Sequence, residues 1–249
     1  MKLTSVFALM LLLSGSVAAA SHVVVETNGK KSESITLPDD AHLADLLTHP
    51  HIPAYTYWPT ARIATAERQA QVDTERQALL HDLEMLEYQW HNEGETRNAY
   101  AVRELRVELA AVKLIGRLPA ILDPDWVRIR PEDNPLLQGE YRLVLPARPQ
   151  TLMVLGLVNG NPRPSLKPKQ VIADYIDGEC LPAGLCAWGY LIQNDGTIEK
   201  VGLEYWNRQR READPGAVLF VGFDSDQLPE NYRNLNSRIA HLLTNRIAD

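Results

Sequence analysis

Few residues in this chain are of a type and spacing that could do chemistry. Asp123 with Asp125, and Asp224 with Asp226, are paired carboxylates of the kind that cleave glycosidic bonds. Each pair sits at an expected strand end beside Pro or Ser, where the turn-forming habit of Asp explains it without catalysis. His49-Pro50-His51, with His42 nearby, offers imidazoles to a metal. The intervening Pro and the absence of a close carboxylate other than Asp45 favour a solvated loop, so no metal and no other cofactor is expected. There is no G-x-S-x-G, no H-E-x-x-H and no phosphate-binding glycine loop. A non-enzymatic role is therefore expected, with chemistry at the carboxylate pairs as the alternative.

Other residues suggest binding. Arg117 follows Gly116 among Leu114, Ile115, Leu118 and Pro119, a setting that buries its aliphatic stem. Its forked guanidinium would then hold a carboxylate or a row of hydroxyls, or close an internal salt bridge with one of 32 acids. If Trp126 to Arg130 is a strand, alternation puts Trp126, Arg128 and Arg130 on one face. That face is either a stacking and hydrogen-bonding platform or a solvated outer surface. Cys180 and Cys186 are the only cysteines, and a disulfide clamping Leu181 to Leu185 is the economical reading, worth roughly 2 kcal/mol. Two thiolate metal ligands would need partners that the neighbouring sequence lacks.

These residues need a scaffold, and composition bounds it. The first 20 of 249 residues read as a secretory signal: Lys2, the apolar run Val6 to Leu13, then Ala18-Ala19-Ala20 before Ser21. A periplasmic chain of about 229 residues is expected, with no lipid anchor because no Cys follows the run. No segment approaches the ~20 apolar residues of a membrane span. Without Lys2 the chain has 24 basic against 32 acidic residues, a net of −8 that disfavours nucleic acid. With 45% hydrophobic residues it can bury a real core.

A degenerate repeat organises the chain. VVVETNG, Ile35-Thr36-Leu37-Pro38 and Leu43-Ala44-Asp45 return as VLGLVNG, Leu166-Lys167-Pro168 and Ile172-Ala173-Asp174. Each copy reads as strand, Asn-Gly reversal, return strand and short helix. The second copy continues into Ala187 to Gln193, the turn Asn194-Asp195-Gly196, Thr197 to Val201 and the apolar run Ala217 to Phe223. That order fits a β-grasp sheet. In the first copy the next strand candidates after Leu47 are Trp126 to Arg130 and Glu140 to Leu145, so nearly 70 residues are inserted. Within them Val72, Leu79, Leu83, Leu86 and Trp90, then Val102, Leu105, Leu109 and Val112, form two helical stripes. Gly94 and Gly116 stand where helices would end. After Pro229, Tyr232, Leu235, Ile239, Leu242 and Arg246 or Ile247 form a third stripe, and such a helix must pack on something to be stable.

The second copy, with Gly156-Leu157-Val158, Leu166, Ile172-Ala173-Asp174, Asp195-Gly196-Thr197-Ile198 and Pro215-Gly216-Ala217-Val218-Leu219, resembles the β-grasp unit of polysaccharide export proteins. The chain as a whole resembles the capsule biosynthesis GfcC family of periplasmic proteins from group 4 capsule operons. The resemblance implies an α+β fold: two β-grasp domains, the first interrupted by an antiparallel helical hairpin, plus a C-terminal amphipathic helix. The expected boundaries are signal peptide 1–20, first domain 21–149 with its insert at about 60–116, second domain 150–226 and terminal helix 227–249. It further implies an accessory role in capsular polysaccharide secretion or assembly, as a monomer whose partners are the glycan or outer-membrane export proteins. A polysaccharide hydrolase or transferase using the paired carboxylates is the alternative. The expected ligand contacts are Arg117, Trp126, Arg128 and Arg130.

Overall fold

The computed structural model describes residues 20–27, 32–160, 162–176 and 187–248. The signal peptide and the Cys180–Cys186 disulfide read from the sequence lie outside these residues.

Strict alternation drives the first strand, β1 (Ser21–Thr27), in which Ser21, Val23 and Val25 are buried while His22 and Val24 face out. It pairs antiparallel with β2 (Glu33–Leu37), and a short helix, α1 (Leu43–Leu47), buries Leu43, Leu46 and Leu47. The sheet is completed by β3 (Arg62–Ala64) and β4 (Glu140–Leu145) in the order β2-β1-β4-β3. β1 and β4 run parallel, with Val25 opposite Leu143. His22 to Leu47 and the strand ending at Leu145 thus share one sheet, as the repeat predicts. Trp126 to Arg130, by contrast, is not a strand.

The second sheet comprises β5 (Met153–Gly156), β6 (Trp188–Ile192), β7 (Ile198–Gly202) and β8 (Val218–Val221), in the order β5-β8-β6-β7. β8 is buried along its whole length, as its unbroken apolar run predicts. The return segment lies against β5 through Leu152 N to Pro164 O and Leu166 N to Gln150 O, both 2.9 Å. Pro162 and Pro164 supply no donors, so this pairing never becomes a full ladder. Both units have the β-grasp plan, with the opening strand parallel to a late one and a short helix in the connection. In the second unit that helix is one 3-10 turn, Ile172–Tyr175.

The insert leaves after β3, later than the sequence suggests. Its helices, α2 (Ala66–Asn92) and α3 (Thr96–Ala111), bury every residue of the two predicted stripes that lies within them. Thr65 caps α2 by accepting from Arg68 N, and Gly94 turns the chain at φ +81°. Gly116 is not the predicted helix cap. It lies past the end of α3, pressed against the first turn of α2, where a Cβ would enter the backbone of Arg68 and Gln69. The hairpin is no free stalk. Its stripe shares one core with β5, β6, β8 and the terminal helix α5 (Leu235–Leu243), and the Trp90 ring lies 5.6 Å from Phe223. The insert therefore belongs by sequence to the first unit and by packing to the second.

Helix α5 docks within its own chain. Buried Asn236 accepts from Phe223 N at 3.0 Å and donates to Phe223 O at 2.7 Å. Arg238 joins Glu75 and Asp82 of α2 at 3.0 and 2.6 Å. The predicted helical register ends early, because Asn245 and Ile247 pair with Ile115 and Lys113 at 2.8 and 3.0 Å. Among the described residues no helix is long and apolar enough to cross a membrane.

One carboxylate at the joint between hairpin and second sheet sets a pH dependence. Glu108 accepts from Gly156 N at 3.2 Å. Burial, aided by the nearby charge of Glu104 and opposed by that N–H, pushes its pKa up to about 7. Because the folded value exceeds the ordinary one, the group is harmless below about pH 4.5. It increasingly favours unfolding as pH rises to about 7, beyond which the effect is constant. Partial exposure limits the effect to ~1–2 kcal/mol. Glu108→Gln, which keeps the acceptor, is expected to melt close to wild type at pH 4.5 and about 3–6 °C higher at pH 8. Parallel melting curves at both pH values, with a constant offset, would refute this.

Candidate functional site

The two units meet along a seam where three arginines converge. Arg62 enters from β3, which ends at the base of the hairpin. Arg117 enters from the strand-like exit of the insert, which bridges to Ala64 and is held by Leu118 N to Ile63 O at 2.8 Å. Arg246 follows α5, where Leu114 bridges to it. From the second unit comes the β6–β7 turn, Asn194-Asp195-Gly196, with Gly196 at φ +94°. The Arg117 guanidinium meets that turn, and Nη2 donates to Asp195 O at 2.7 Å. The predicted salt bridge is thus replaced by a bond to a peptide carbonyl. The Asp195 carboxylate is engaged in its own turn, accepting from Thr197 N and Oγ1 at 2.8 Å each.

The electrostatics follow from this crowding. Arg62 is only 5% exposed; Nη1 donates to Ala61 O and Pro59 O, while Nε has no partner among the described residues. Burial, reinforced by Arg117 and Arg246 and opposed by Asp195, lowers its pKa to about 9. Burial also lowers that of Arg117, against the pull of Asp195. Asn194 is likewise 5% exposed; its Nδ2 donates to Pro215 O at 2.7 Å, and its Oδ1 has no partner among the described residues. The Asp214 pKa is raised by burial and by Asp195.

These groups line a cleft of ≈ 550 Å³ between the units. Arg62, Arg117, Asp123, Glu132 and Asp133 line it from the first unit and Asn194, Asp195 and Asp214 from the second, with Trp58 and Pro119 contributing apolar surface. Arg117 also borders a second cleft of ≈ 660 Å³ between the start of α2 and α5. Two guanidiniums and five carboxylates beside an indole suit a ligand rich in hydroxyls.

The other predicted site residues are placed differently. Residues Pro124–Ile129 form a helix, α4, because Asp123 caps the N–H groups of Asp125 and Trp126 at 3.0 and 3.2 Å and Pro124 fits the first helical position. Strand alternation therefore does not apply. Helical spacing instead lays Arg130 over the Trp126 ring, 3.9 Å from its centre, while Arg128 turns to Asp125 at 3.3 Å. Trp126 Nε1 donates to Asp133 Oδ2 at 3.0 Å, so Trp126 holds one of the lining carboxylates while neither it nor Arg130 lines the cleft itself. Asp123 and Asp125 are thus occupied as cap and ion pair, and Asp224 accepts from Asp226 N within a turn. His49 is half-buried and His51 exposed, and no cluster of three metal-ligating side chains occurs among the described residues.

Sequence reasoning missed Arg62, Asn194 and Arg246. Arg62 lies in a three-residue strand too short to show a period, and Asn194 has the form of an ordinary turn residue. An arginine on the apolar register of the terminal stripe, as Arg246 is, was the available signal.

Comparison with known proteins agrees with this architecture. Residues 19–148 match the family described as capsule biosynthesis GfcC, N-terminal, and residues 162–248 match capsule biosynthesis GfcC C-terminal. The "Uncharacterized protein YjbG" of Escherichia coli (strain K12) is 33% identical over 247 residues, covering 99% of this chain and 98% of that protein. With both halves of its length matched in order, the chain belongs to the capsule biosynthesis GfcC family.

Proposed function

We propose that this protein is a periplasmic, non-enzymatic accessory factor in the secretion or assembly of a capsular polysaccharide, and that it holds the glycan in the cleft at Arg117. Family membership supports the capsule role. The observation that carries the binding reading is the convergence of the Arg62 and Arg117 guanidiniums, with Asn194 and Asp133, on the lining of one cleft beside an indole. A uronate or another acidic sugar supplies the carboxylate, and its hydroxyls reach Asp133 and Asn194. Trp126 and Arg130 act indirectly by fixing Asp133. The two β-grasp units, at about 21–149 and 150–226, form the walls, and the hairpin sets their spacing.

The reading is tested with the mature protein and purified capsular polysaccharide in a calorimetric titration. Arg117→Ala is expected to weaken binding at least tenfold, and Arg117→Lys less, because a lysine keeps the charge but loses the fork. The polymer's size distribution should be unchanged after incubation. Shortened polymer would establish an enzyme instead, and an Arg117→Ala protein binding as well as wild type would remove the cleft from the account.

A further inference from the structure

The β6–β7 hairpin that presents Asp195 to Arg117 carries a second group of unusual residues at its other end. After β7 the chain makes a tight turn closed by Asn207 N to Glu204 O at 3.1 Å, and Tyr205 and Trp206 occupy its two central positions. Turn chemistry calls there for Gly, Pro, Asn, Asp or Ser, each for a stated backbone reason, and gives none for two large aromatics. Tyr205 is 91% exposed and Trp206 72%. The turn is nonetheless fixed: the Asn207 side chain donates to Ala187 O at 2.7 Å and accepts from Glu204 N at 2.9 Å. Gly202 packs so closely on Asn207 that a side chain there would meet its backbone.

Trp188, on the neighbouring strand, stands almost perpendicular to Trp206, at 85° with ring centres 6.3 Å apart. The Lys200 ammonium lies 4.8 Å from the centre of the Trp188 ring. Two indoles at right angles make a floor and a wall, and the cation lies over the Trp188 ring, which leaves the exposed Trp206 as the stacking face. Aromatic π-faces carry negative charge density and attract the polarised C–H groups on the flat face of a pyranose, while a neighbouring ammonium and polar turn atoms serve its hydroxyls and acids.

We propose that Trp206, Trp188 and Tyr205, with Lys200, form a second saccharide-binding site that stacks sugar rings of an acidic glycan, roughly 20 Å along the β6–β7 hairpin from Arg117. The inference rests on the reading that the protein handles capsular glycan, and it extends that reading from one contact to a track. A lipid surface is the poorer occupant. Among the described residues of the turn, Glu204 to Asn207, no aliphatic side chain accompanies the aromatics, whereas insertion into a bilayer needs a broad apolar face. Being exposed, Trp206 can be replaced without loss of the fold.

The test uses the mature full-length chain and capsular oligosaccharides of defined length made by partial acid cleavage, with wild type, Trp206→Ala, Trp206→Phe and Arg117→Ala compared in parallel. Trp206→Ala is expected to weaken binding about tenfold and to remove most of the ligand-induced change in tryptophan emission; Trp206→Phe should retain most of the affinity. If wild type and Trp206→Ala bind equally while Arg117→Ala is impaired, the aromatic site is refuted and the cleft stands. If the oligosaccharide binds none of the proteins, both fall. Trp206-dependent flotation with phosphatidylethanolamine–phosphatidylglycerol vesicles, without a Trp206 effect on oligosaccharide, would assign the turn to a membrane and overturn the proposal.

Discussion

Gly116→Ala is expected to be among the most damaging substitutions of a single methyl in this protein, lowering stability by ~3–5 kcal/mol and the melting temperature by about 10 °C or more. The added Cβ would have to occupy the backbone of Arg68 and Gln69, and a peptide in the first turn of α2 cannot rotate away as a side chain would. The same move breaks a second contact, since Gly116 N donates to Gln69 Oε1 at 2.8 Å. Gly94→Ala is the matched control. It has φ +81° but open space around it, so only the left-handed backbone is penalised, at ~1 kcal/mol. Thermal melts of the two variants decide the matter: if Gly116→Ala falls no further than Gly94→Ala, the exit of the insert is not clamped as described. Arg117 is the next residue, so whatever displaces Gly116 also displaces the guanidinium from Asp195 O. Ligand affinity should fall along with stability.

That coupling shows what the seam requires. Arg62 and Arg117 come from strands on either side of a 46-residue stretch, from Ala66 to Ala111, that leaves the first unit and returns to it. They are neighbours only because the hairpin begins and ends at the same place. The opposing turn, Asn194 to Gly196, is brought to them because the hairpin and α5 are packed on the second sheet. A cleft built this way is held by contacts far from its walls, which suits a site that must keep donors and acceptors at fixed spacing for a ligand with many hydroxyls.

The periodic parts of this architecture were legible in the sequence, and the parts set by packing were not. The stripes at Val72 to Trp90 and Val102 to Val112 specify helices because a 3.6-residue period survives any choice of partner. Nothing in them says which surface they cover, and that surface proved to be the other unit. Trp126 to Arg130 was misread as a strand because five residues of alternating type fit either period. The deciding signal was local, the Asp123-Pro124 cap and first turn. The role assigned to Gly116 failed for the opposite reason: a glycine near a helix end has a local explanation, and here the cause was a backbone 47 residues away in sequence. The setting of Arg117 predicts a buried stem and an acidic partner; the residue is half-buried, but its acceptor is a carbonyl of a turn from the distant second copy.

Whether the insert is structural to the second unit can be read from Trp90. It is 4% exposed at the end of the α2 stripe, and its ring meets Phe223 at 5.6 Å, just beyond β8. Trp90→Ala is expected to lose ~3–5 kcal/mol, because the removed indole leaves a cavity bounded by two helices and a sheet edge that cannot all collapse into it. The melting temperature should drop by about 10 °C, with near-ultraviolet dichroism weakened. Protease sensitivity should appear in the exposed connection around Glu93 to Glu95, which wild type shields only through the docking of the helices it joins. Tyr88→Ala, two residues earlier and 66% exposed, should change none of these. A hairpin that was merely a stalk on the first unit would give a different result. Trp90→Ala would then fray the tip locally, with the main transition where it was, and the claim that the insert locks the two sheets together would have to be abandoned.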